Sequence, residues 1–209
     1  MSDTRENILL TALHLFAKNG YEAVSVNDIA SEIGITKGAL YKHYRNKRDI
    51  FDCIVERMYQ LDAQRSREYD VPKEKLEDDP GAYENVSLES IRNFTLSQFE
   101  FWTEDGFASD FRRMLTLEQY RSAEMAELYS GCLTAGPVSY MEDIFREMIK
   151  EGLLREADPR QLALEFFAPF HLLVNMSDST EDRSGLSGLL EAHIERFIMN
   201  NSMKGSEHD

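Results

Sequence analysis

Apolar residues recur at intervals of three and four along most of this chain, and this spacing is the strongest constraint on its fold. Leu9, Leu13 and Phe16 form the first such series, and their spacing is that of an amphipathic helix. Later series predict helices over about 87–104, 107–120, 122–151, 159–176 and 184–200. No alternating apolar run is long enough to indicate a sheet. The sequence therefore predicts an all-α protein.

Helix-start residues are concentrated near the N-terminus. Ser25 and Asp28 have the spacing of a capping box, in which each side chain accepts a hydrogen bond from the other residue's amide. The helix that follows is short because Gly34 ends it. Thr36 can then cap a third helix that runs to about residue 44, and Asn46 can cap a fourth, longer helix. A short helix, a tight turn and another helix form a helix-turn-helix pattern.

Two interruptions divide the rest of the chain. Residues 70–86 contain two prolines, one glycine and eight charged side chains, which favours a polar connection. Pro137 lies inside the 122–151 series and is expected to kink or divide that helix. The predicted organisation is a helix-turn-helix domain at 1–48, a connecting helix at 49–69, the polar connection at 70–86, a C-terminal domain at 87–200 and a flexible tail at 201–209.

The charge of the chain is unevenly distributed. The formal net charge is -15, yet residues 35–48 hold five Lys or Arg and no acidic residue. Residues 1–50 sum to +1 and residues 51–209 to -16. Since an acidic body repels a polyanion whereas the basic segment attracts one, two regions with different partners are indicated.

The basic segment forms the outward face of the predicted third helix. Small residues at Gly38 and Ala39 allow that helix to approach a surface closely, and its lysines and hydroxyl groups can contact phosphates. Side chains that enter the major groove of DNA would read base edges, and the candidates are Lys37, Ala39, Tyr41 and Lys42. The predicted DNA-binding residues are Ser25, Thr36, Lys37, Gly38, Ala39, Tyr41, Lys42, His43, Tyr44 and Lys47. Tyr44 is equally suited to a structural position in the core.

The segment from Arg5 to about Met58 resembles the N-terminal DNA-binding domain of tetracycline-repressor-like (TetR) regulators. The residues that carry the resemblance are Ile8-Leu9-x-x-Ala12-x-x-Leu15-Phe16, Asn19-Gly20-Tyr21, Val24-Ser25-Val26-x-x-Ile29-Ala30, Ile33 to Tyr41, His43-Tyr44 and Lys47. In such relatives Thr36, Lys37, Gly38, Tyr41, His43, Tyr44 and Lys47 match positions that contact DNA. Tyr44 stands where a Phe is common in the family.

The resemblance implies a three-helix DNA-binding domain, joined by the fourth helix to a larger helical domain for ligand binding and dimerisation. It further implies a ligand-responsive regulator, commonly a repressor, that binds a palindromic operator as a homodimer. Apolar residues between 159 and 200 suit a four-helix dimer interface. The predicted interface residues are Phe167, Phe170, Val174, Leu186, Leu190, Ile194 and Phe197. The alternative is that they form the core of a single chain.

Relatives of this kind hold a small-molecule effector among their C-terminal helices. Large side chains in that region are candidates for the walls of such a pocket, although each could instead be a core residue. The predicted effector residues are Trp102, Phe111, Tyr129, Tyr140, Phe166 and His171. We expect a small-molecule effector of unknown identity, and no cofactor or metal.

An enzyme is the main alternative class, and the sequence gives it little support. The five histidines have no metal-site spacing, Gly185-Leu-Ser-Gly188 departs from a nucleophile elbow, and there is no glycine-rich phosphate loop. A ligand sensor without DNA binding is a third class, and the basic third helix argues against it. With no apolar run of about 18 residues and no signal segment, we expect a cytoplasmic protein without a membrane partner.

Overall fold

The computed structural model describes residues 4–73, 76–84, 86–180 and 183–203, and within these ranges the fold is helical. Its elements are α1 (Thr4–Asn19), α2 (Val26–Glu32), α3 (Lys37–Leu40), α4 (Lys47–Glu68), a short 3-10 helix (Pro80–Tyr83), α5 (Leu88–Glu104), α6 (Gly106–Glu118), α7 (Ala123–Leu133), α8 (Ala135–Lys150), α9 (Pro159–Met176) and α10 (Ser184–Asn201). The described residues contain no strand beyond an isolated bridge between Leu154 and Ser202. The prediction of an all-α fold is confirmed.

The predicted helix starts are present. The Ser25 hydroxyl accepts from the Asp28 amide and the Asp28 carboxylate accepts from the Ser25 amide, so α2 opens with a complete capping box. Thr36 caps α3 by accepting from the Ala39 amide at 3.1 Å, and the Asn46 side chain accepts from the Asp49 amide at 2.9 Å. Each bond satisfies an amide that has no partner within its own helix.

The third helix is shorter than predicted. It ends at Leu40 rather than near residue 44, because the amides of Lys42 and His43 bond to carbonyls three residues back instead of four. This tighter turn follows the 3-10 pattern. It is immediately followed by Tyr44, which is only 3% exposed.

The predicted interruption at Pro137 divides the helical series in two. α7 ends at Leu133 and α8 begins at Ala135. Close backbone contact accompanies the division: a Cβ atom on Gly136 would lie 1.9 Å from the Gly131 carbonyl oxygen. Only glycine fits this junction without displacing the backbone.

The chain forms two compact units that do not follow chain order. The first comprises the described part of Met1–Asp62 together with Glu104–Tyr129. There α1 packs against α6. Leu13, Phe16, Leu40, Phe51 and Phe111 form much of its core and are each no more than 2% exposed.

The second unit comprises Ala63–Thr103 and the described part of Ser130–Asp209. α9 packs against α8 and α10. In its core, the Phe166 ring lies 5.5 Å from the Phe145 ring and 4.9 Å from the Phe197 ring, both measured between centroids. Within the described ranges, no helix is both long and apolar enough to cross a bilayer.

Two predicted irregular segments contain ordered contacts. The connection predicted at 70–86 includes the 3-10 helix, whose Tyr83 is 2% exposed. At the start of the tail predicted at 201–209, the Met203 amide donates to the Leu153 carbonyl at 3.0 Å. The Arg155 backbone amide donates to the Asn201 carbonyl at 2.8 Å. Residues 204–209 lie outside the described residues. The predicted domain boundaries remain predictions.

We predict that Gly136→Ala lowers the free energy of unfolding by about 1–3 kcal/mol, the usual range for an overpacked site. Gly131→Ala is the matched control, because a Cβ at Gly131 meets nothing within 4 Å. It should be neutral or stabilising by up to roughly 1 kcal/mol, since alanine favours a helix over glycine. Urea denaturation followed by circular dichroism measures both, and a Gly136→Ala protein as stable as the parent would contradict the prediction.

Candidate nucleic-acid interface

The turn between α2 and α3 is closed by backbone bonds and small residues. Gly34 has a φ of +69°, a conformation that glycine adopts at little cost. The Ile35 amide donates to the Ala30 carbonyl at 2.9 Å. Ala30 is 1% exposed and Ile29 is completely buried. These contacts fix the direction in which α3 leaves α2.

The outward face of α3 is open to solvent. Thr36, Lys37, Gly38, Lys42 and His43 are exposed, and Ala39 is partly exposed. Tyr41 is 45% exposed, and its ring centroid lies 5.7 Å from the Lys37 amino nitrogen. Ser25 is also exposed, although its hydroxyl is used in the capping box. Seven of the ten predicted DNA-binding residues therefore lie on or beside α3 with at least part of their surface exposed to solvent.

Tyr44 occupies a different environment from the other predicted contacts. Its hydroxyl donates to the Arg5 carbonyl at 3.1 Å, and the Arg5 guanidinium lies 5.3 Å from the ring centroid. Burial raises the pKa of the Tyr44 phenol above its ordinary value. The structure thus places Tyr44 in the core, as the structural alternative expects, with its hydroxyl already bonded.

Lys47 is also held by the protein itself. Its amino group donates to the Tyr21 carbonyl at 2.7 Å and to the Glu22 carbonyl at 3.4 Å. The same nitrogen lies 4.2 Å from the centroid of the Tyr21 ring. An ammonium group has three donors. Two of the Lys47 N–H groups therefore join α4 to the segment that follows α1, and the third is not used in these bonds.

The cations of the basic segment differ in how far they are neutralised. Arg45 pairs with Asp49 at 2.8 Å, and its hydrogen bonds hold the pKa of that carboxyl below the usual value. Arg48 pairs with Asp52 at 2.7 Å and also with Glu124. Hydrogen bonds to Glu124 and then to Asp52 raise the pKa of the Arg48 guanidinium.

Lys37 and Lys42 are the exceptions. Neither forms an ion pair with any described carboxylate, and both are exposed. Lys47 also has no described carboxylate partner but is held by backbone carbonyls, so the exposed positive charge is concentrated at Lys37 on α3 and Lys42 in the turn that follows it. The sequence shows five cations at this site but does not distinguish the compensated from the uncompensated ones.

Tyr21 connects several elements of the first unit, and sequence reasoning missed its role. Its amide donates to the Glu118 carboxylate of α6 at 2.9 Å, while its carbonyl accepts from Lys47. Its ring packs edge-on against Phe16 at 5.1 Å and Phe51 at 5.2 Å. Glu118 is 2% exposed. No local pattern predicts this contact, because Tyr21 and Glu118 are 97 positions apart.

The glycine beside Tyr21 is required by the same contact. Gly20 has a φ of +83°, and a Cβ atom there would lie 2.7 Å from the Glu118 carboxylate oxygen. A second polar contact between α1 and α6 joins His14 to Asp110 at 3.0 Å. A glycine at this position is typical of a helix end and can be recognised from the sequence, whereas its contact with Glu118 cannot.

The predicted effector residues are divided between the two compact units. Phe111 and Tyr129 belong to the first compact unit, and Phe111 is completely buried. Phe166 is a core residue of the second unit at 3% exposure. Trp102, Tyr140 and His171 are partly exposed there. Among the described residues, no group of His, Cys, Asp and Glu is arranged to hold a metal ion.

The predicted dimer residues lie almost entirely inside the second unit. Phe170, Val174, Leu186, Leu190, Ile194 and Phe197 are each no more than 8% exposed, and only Phe167 is partly exposed. This burial matches the alternative stated for these residues, the core of a single chain. The apolar side chains that α9 and α10 turn outward are different ones: Leu164, Leu172 and Met176, and Leu189 and Met199, with exposures of 41–67%.

Comparison with known proteins agrees with this geometry. Residues 8–54 match the family model described as bacterial regulatory proteins, tetR family. YerO of Bacillus subtilis, an uncharacterized HTH-type transcriptional regulator, is 47% identical over 47 residues, which is 22% of this chain and 16% of YerO. The HTH-type regulator AcrR of Shigella flexneri is 43% identical over 54 residues, which is 26% of this chain and 25% of AcrR.

The matches to these two curated relatives thus span a quarter or less of the relatives' own length. The fold is shared more widely. A solved complex of SmeT with triclosan has a TM-score of 0.70 at 21% identity, covering 97% of this chain and 93% of that one. SmeT is the repressor of the Stenotrophomonas maltophilia multidrug efflux pump SmeDEF. The helix-turn-helix segment is therefore similar to the tetR family of bacterial regulatory proteins, and the fold of the whole chain is similar to that of SmeT.

Proposed function

We propose that the protein is a ligand-responsive transcriptional repressor that binds a palindromic operator as a homodimer. The observation that carries the proposal is a pair of exposed lysines without a described carboxylate partner, Lys37 on α3 and Lys42 in the turn that follows it, in a chain of net charge -15. Such a distribution directs a polyanion to a single face. The identity of AcrR and YerO as regulators supports the same conclusion.

Each part of the interface has a distinct task in this proposal. Lys37 and Lys42 neutralise phosphates and release counterions, which provides affinity without reading sequence. Tyr41 is exposed, and in this proposal its ring and hydroxyl would contact base edges in the major groove. Tyr44 and Lys47 keep α3 and α4 in position from within the protein. A twofold pair of such units would place two α3 helices about 34–36 Å apart, one turn of B-DNA.

The partner face of the homodimer would be the outward apolar side of α9 and α10. Leu172 and Leu189 are 60% and 58% exposed in a single chain. Leu164 and Met176 share a side of α9 with Leu172, since helical positions four apart lie on one face. Burying these side chains against a second copy removes apolar surface from water at roughly 25 cal/mol per Å². The buried residues first predicted for this role instead hold the two helices together within one chain.

Release of DNA would follow from linkage between the two ligands. An effector lowers DNA affinity if it binds more tightly to a state in which the recognition helices are wrongly spaced. A coupling of about 1–3 kcal/mol changes the affinity by about 5–150-fold. The solved SmeT–triclosan complex supports a small-molecule ligand for this fold.

Lys42→Ala should weaken binding to a duplex selected from random sequences and flatten its salt dependence. Since a homodimer would lose two phosphate contacts, the slope of log K against log salt should fall by about 1.8 for B-DNA. Lys37→Ala should act in the same direction. Electrophoretic mobility shifts at several salt concentrations measure the slope. Lys150→Ala, which removes an exposed lysine already paired with Glu147, is the control. An unchanged slope in both α3 variants would refute the proposed interface.

Lys47→Met and Lys42→Met separate a structural lysine from a binding one. Both remove one positive charge, but only Lys47 donates to backbone carbonyls. We expect Lys47→Met to lower the free energy of unfolding by about 1 kcal/mol, the net worth of such a hydrogen bond, and Lys42→Met to leave it unchanged. Urea denaturation in the absence of DNA is the measurement. Equal stability of the two variants would show that the Lys47 contacts contribute nothing.

Leu172→Glu should convert the homodimer to a monomer, because two copies would bring unpaired carboxylates into an apolar interface. Leu189→Glu is expected to do the same. Leu117→Glu is the matched control, since Leu117 is 46% exposed but lies on α6 in the first unit. Size-exclusion chromatography with light scattering gives the mass. A parent protein that is monomeric, or a Leu172→Glu protein that remains dimeric, would contradict the assigned face.

A further inference from the structure

We infer that the effector is an aromatic organic anion and that Arg65 binds its charged group. The inference rests on the proposed ligand-responsive function and names the chemical class of the ligand. Arg65 lies in the last turn of α4 and belongs to the second compact unit, as do Tyr69, Ser97 and Phe101, which contact its guanidinium. It was not among the residues that the sequence suggested for an effector pocket.

The guanidinium of Arg65 is held between side chains that do not neutralise it. One terminal nitrogen donates to the Ser97 hydroxyl of α5. The guanidinium carbon lies 4.5 Å from the centroid of the Phe101 ring and 5.9 Å from that of Tyr69. Ring faces attract cations. They supply no acceptor in the guanidinium plane, where a carboxylate or sulfonate would bind through two oxygens.

Arg65 differs in this respect from other arginines of the same unit. Its Nε atom is shielded from solvent and has no hydrogen-bond partner among the described residues. No described carboxylate forms an ion pair with it, whereas Arg92 pairs with Glu191 and Arg146 pairs with Glu142 and Asp143. A partly buried cation with an unsatisfied donor is unfavourable unless something outside the chain completes it. A bound anion would supply both the charge and the acceptor.

Aromatic rings extend from Arg65 in two directions. Tyr69 lies 6.1 Å from Phe94, and Phe94 lies 6.4 Å from Tyr140, measured between ring centroids. On the other side, Phe101 packs edge-on against Trp102 at 5.5 Å. Such rings suit a flat apolar body attached to the anionic group. The Tyr140 hydroxyl already donates to the Pro72 carbonyl at 3.0 Å, so it is not left over for a polar ligand group.

Two of the predicted effector residues adjoin this cluster. Trp102 contacts Phe101 and Tyr140 contacts Phe94. The sequence therefore indicated an aromatic surface, but not its cation, because Arg65 sits among several charged residues near the end of α4 and looks like part of a solvated face. Only the packing of Phe101 and Ser97 against the guanidinium distinguishes it.

A matched pair of fluorescent probes tests the assignment. 8-Anilinonaphthalene-1-sulfonate and N-phenyl-1-naphthylamine share an aromatic skeleton and differ in the sulfonate. The full-length protein should bind the sulfonate probe at least about tenfold more tightly, which corresponds to roughly 1.4 kcal/mol. Energy transfer from Trp102, the only tryptophan of the chain, reports binding beside Phe101.

Arg65→Gln should abolish the preference for the sulfonate probe while leaving binding of the neutral probe unchanged. Arg65→Lys keeps a charge without the planar donors and should retain part of the preference. Arg146→Gln is the control, since it removes a cation of the same unit that is already paired. No preference in the parent protein, or a preference retained in Arg65→Gln, overturns the inference. If Arg65→Gln does not fold by circular dichroism, a full parent-like preference in Arg65→Lys overturns it.

DNA binding without probe keeps this test separate from that of the proposed function. Arg65→Gln should bind the selected duplex with the affinity of the parent protein, because Arg65 lies outside the first unit. If the parent protein binds DNA but shows no preference for the sulfonate probe, the anion site is refuted and the proposed regulator is not. Conversely, absence of DNA binding in the parent refutes the regulator, and the probe measurements can still be interpreted.

Discussion

The position of α3 depends on how both backbone groups of Tyr21 are bonded. Its amide donates to Glu118 of α6 and its carbonyl accepts from Lys47 of α4. A buried amide or carbonyl without a partner is costly, so these bonds are strongly preferred over alternatives that leave either group unsatisfied. Because the Tyr21 ring also packs between Phe16 and Phe51, one residue joins α1, α4 and α6. The segment that leads from α1 into α2, and hence to α3, begins at this fixed point.

Internal pairing also determines which cations remain for a partner. Arg48 is occupied by Asp52 and Glu124, and Arg45 by Asp49, so these side chains stabilise the first turns of α4 and its contact with α7. Exposed ion pairs contribute little to stability. Their larger effect here is on the electrostatic field, since Arg45 and Arg48 are each neutralised by neighbouring carboxylates and the exposed positive charge of the basic segment is left to Lys37 and Lys42. An acidic protein can thereby keep one face attractive to a polyanion.

The sequence predicted features whose causes are local and missed those that depend on distant partners. The capping box at Ser25, the division at Pro137 and the turn at Gly34 were predictable, because each arises from backbone geometry within a few residues. The Glu118 contact was not. For α9 and α10 the apolar pattern predicted a dimer interface that includes Phe170 and Leu190. In the structure those two residues face the core of the chain, whereas Leu172 and Leu189 face outward. A helix with apolar residues on several faces does not indicate which face covers which partner.

Both proposed ligands, DNA and the anion, can act through α4. α4 begins at Lys47, whose amino group holds Tyr21 in the first unit, and its last turn contains Arg65 in the second. An anion at Arg65 would accept a hydrogen bond from the Arg65 Nε atom. It would therefore favour the conformations of α4 in which the anion can bind to that atom. Any difference between those conformations and the ones compatible with DNA then becomes a coupling free energy between the ligands. Arg65 therefore needs no direct contact with the interface to influence it, provided that the helix has more than one accessible arrangement.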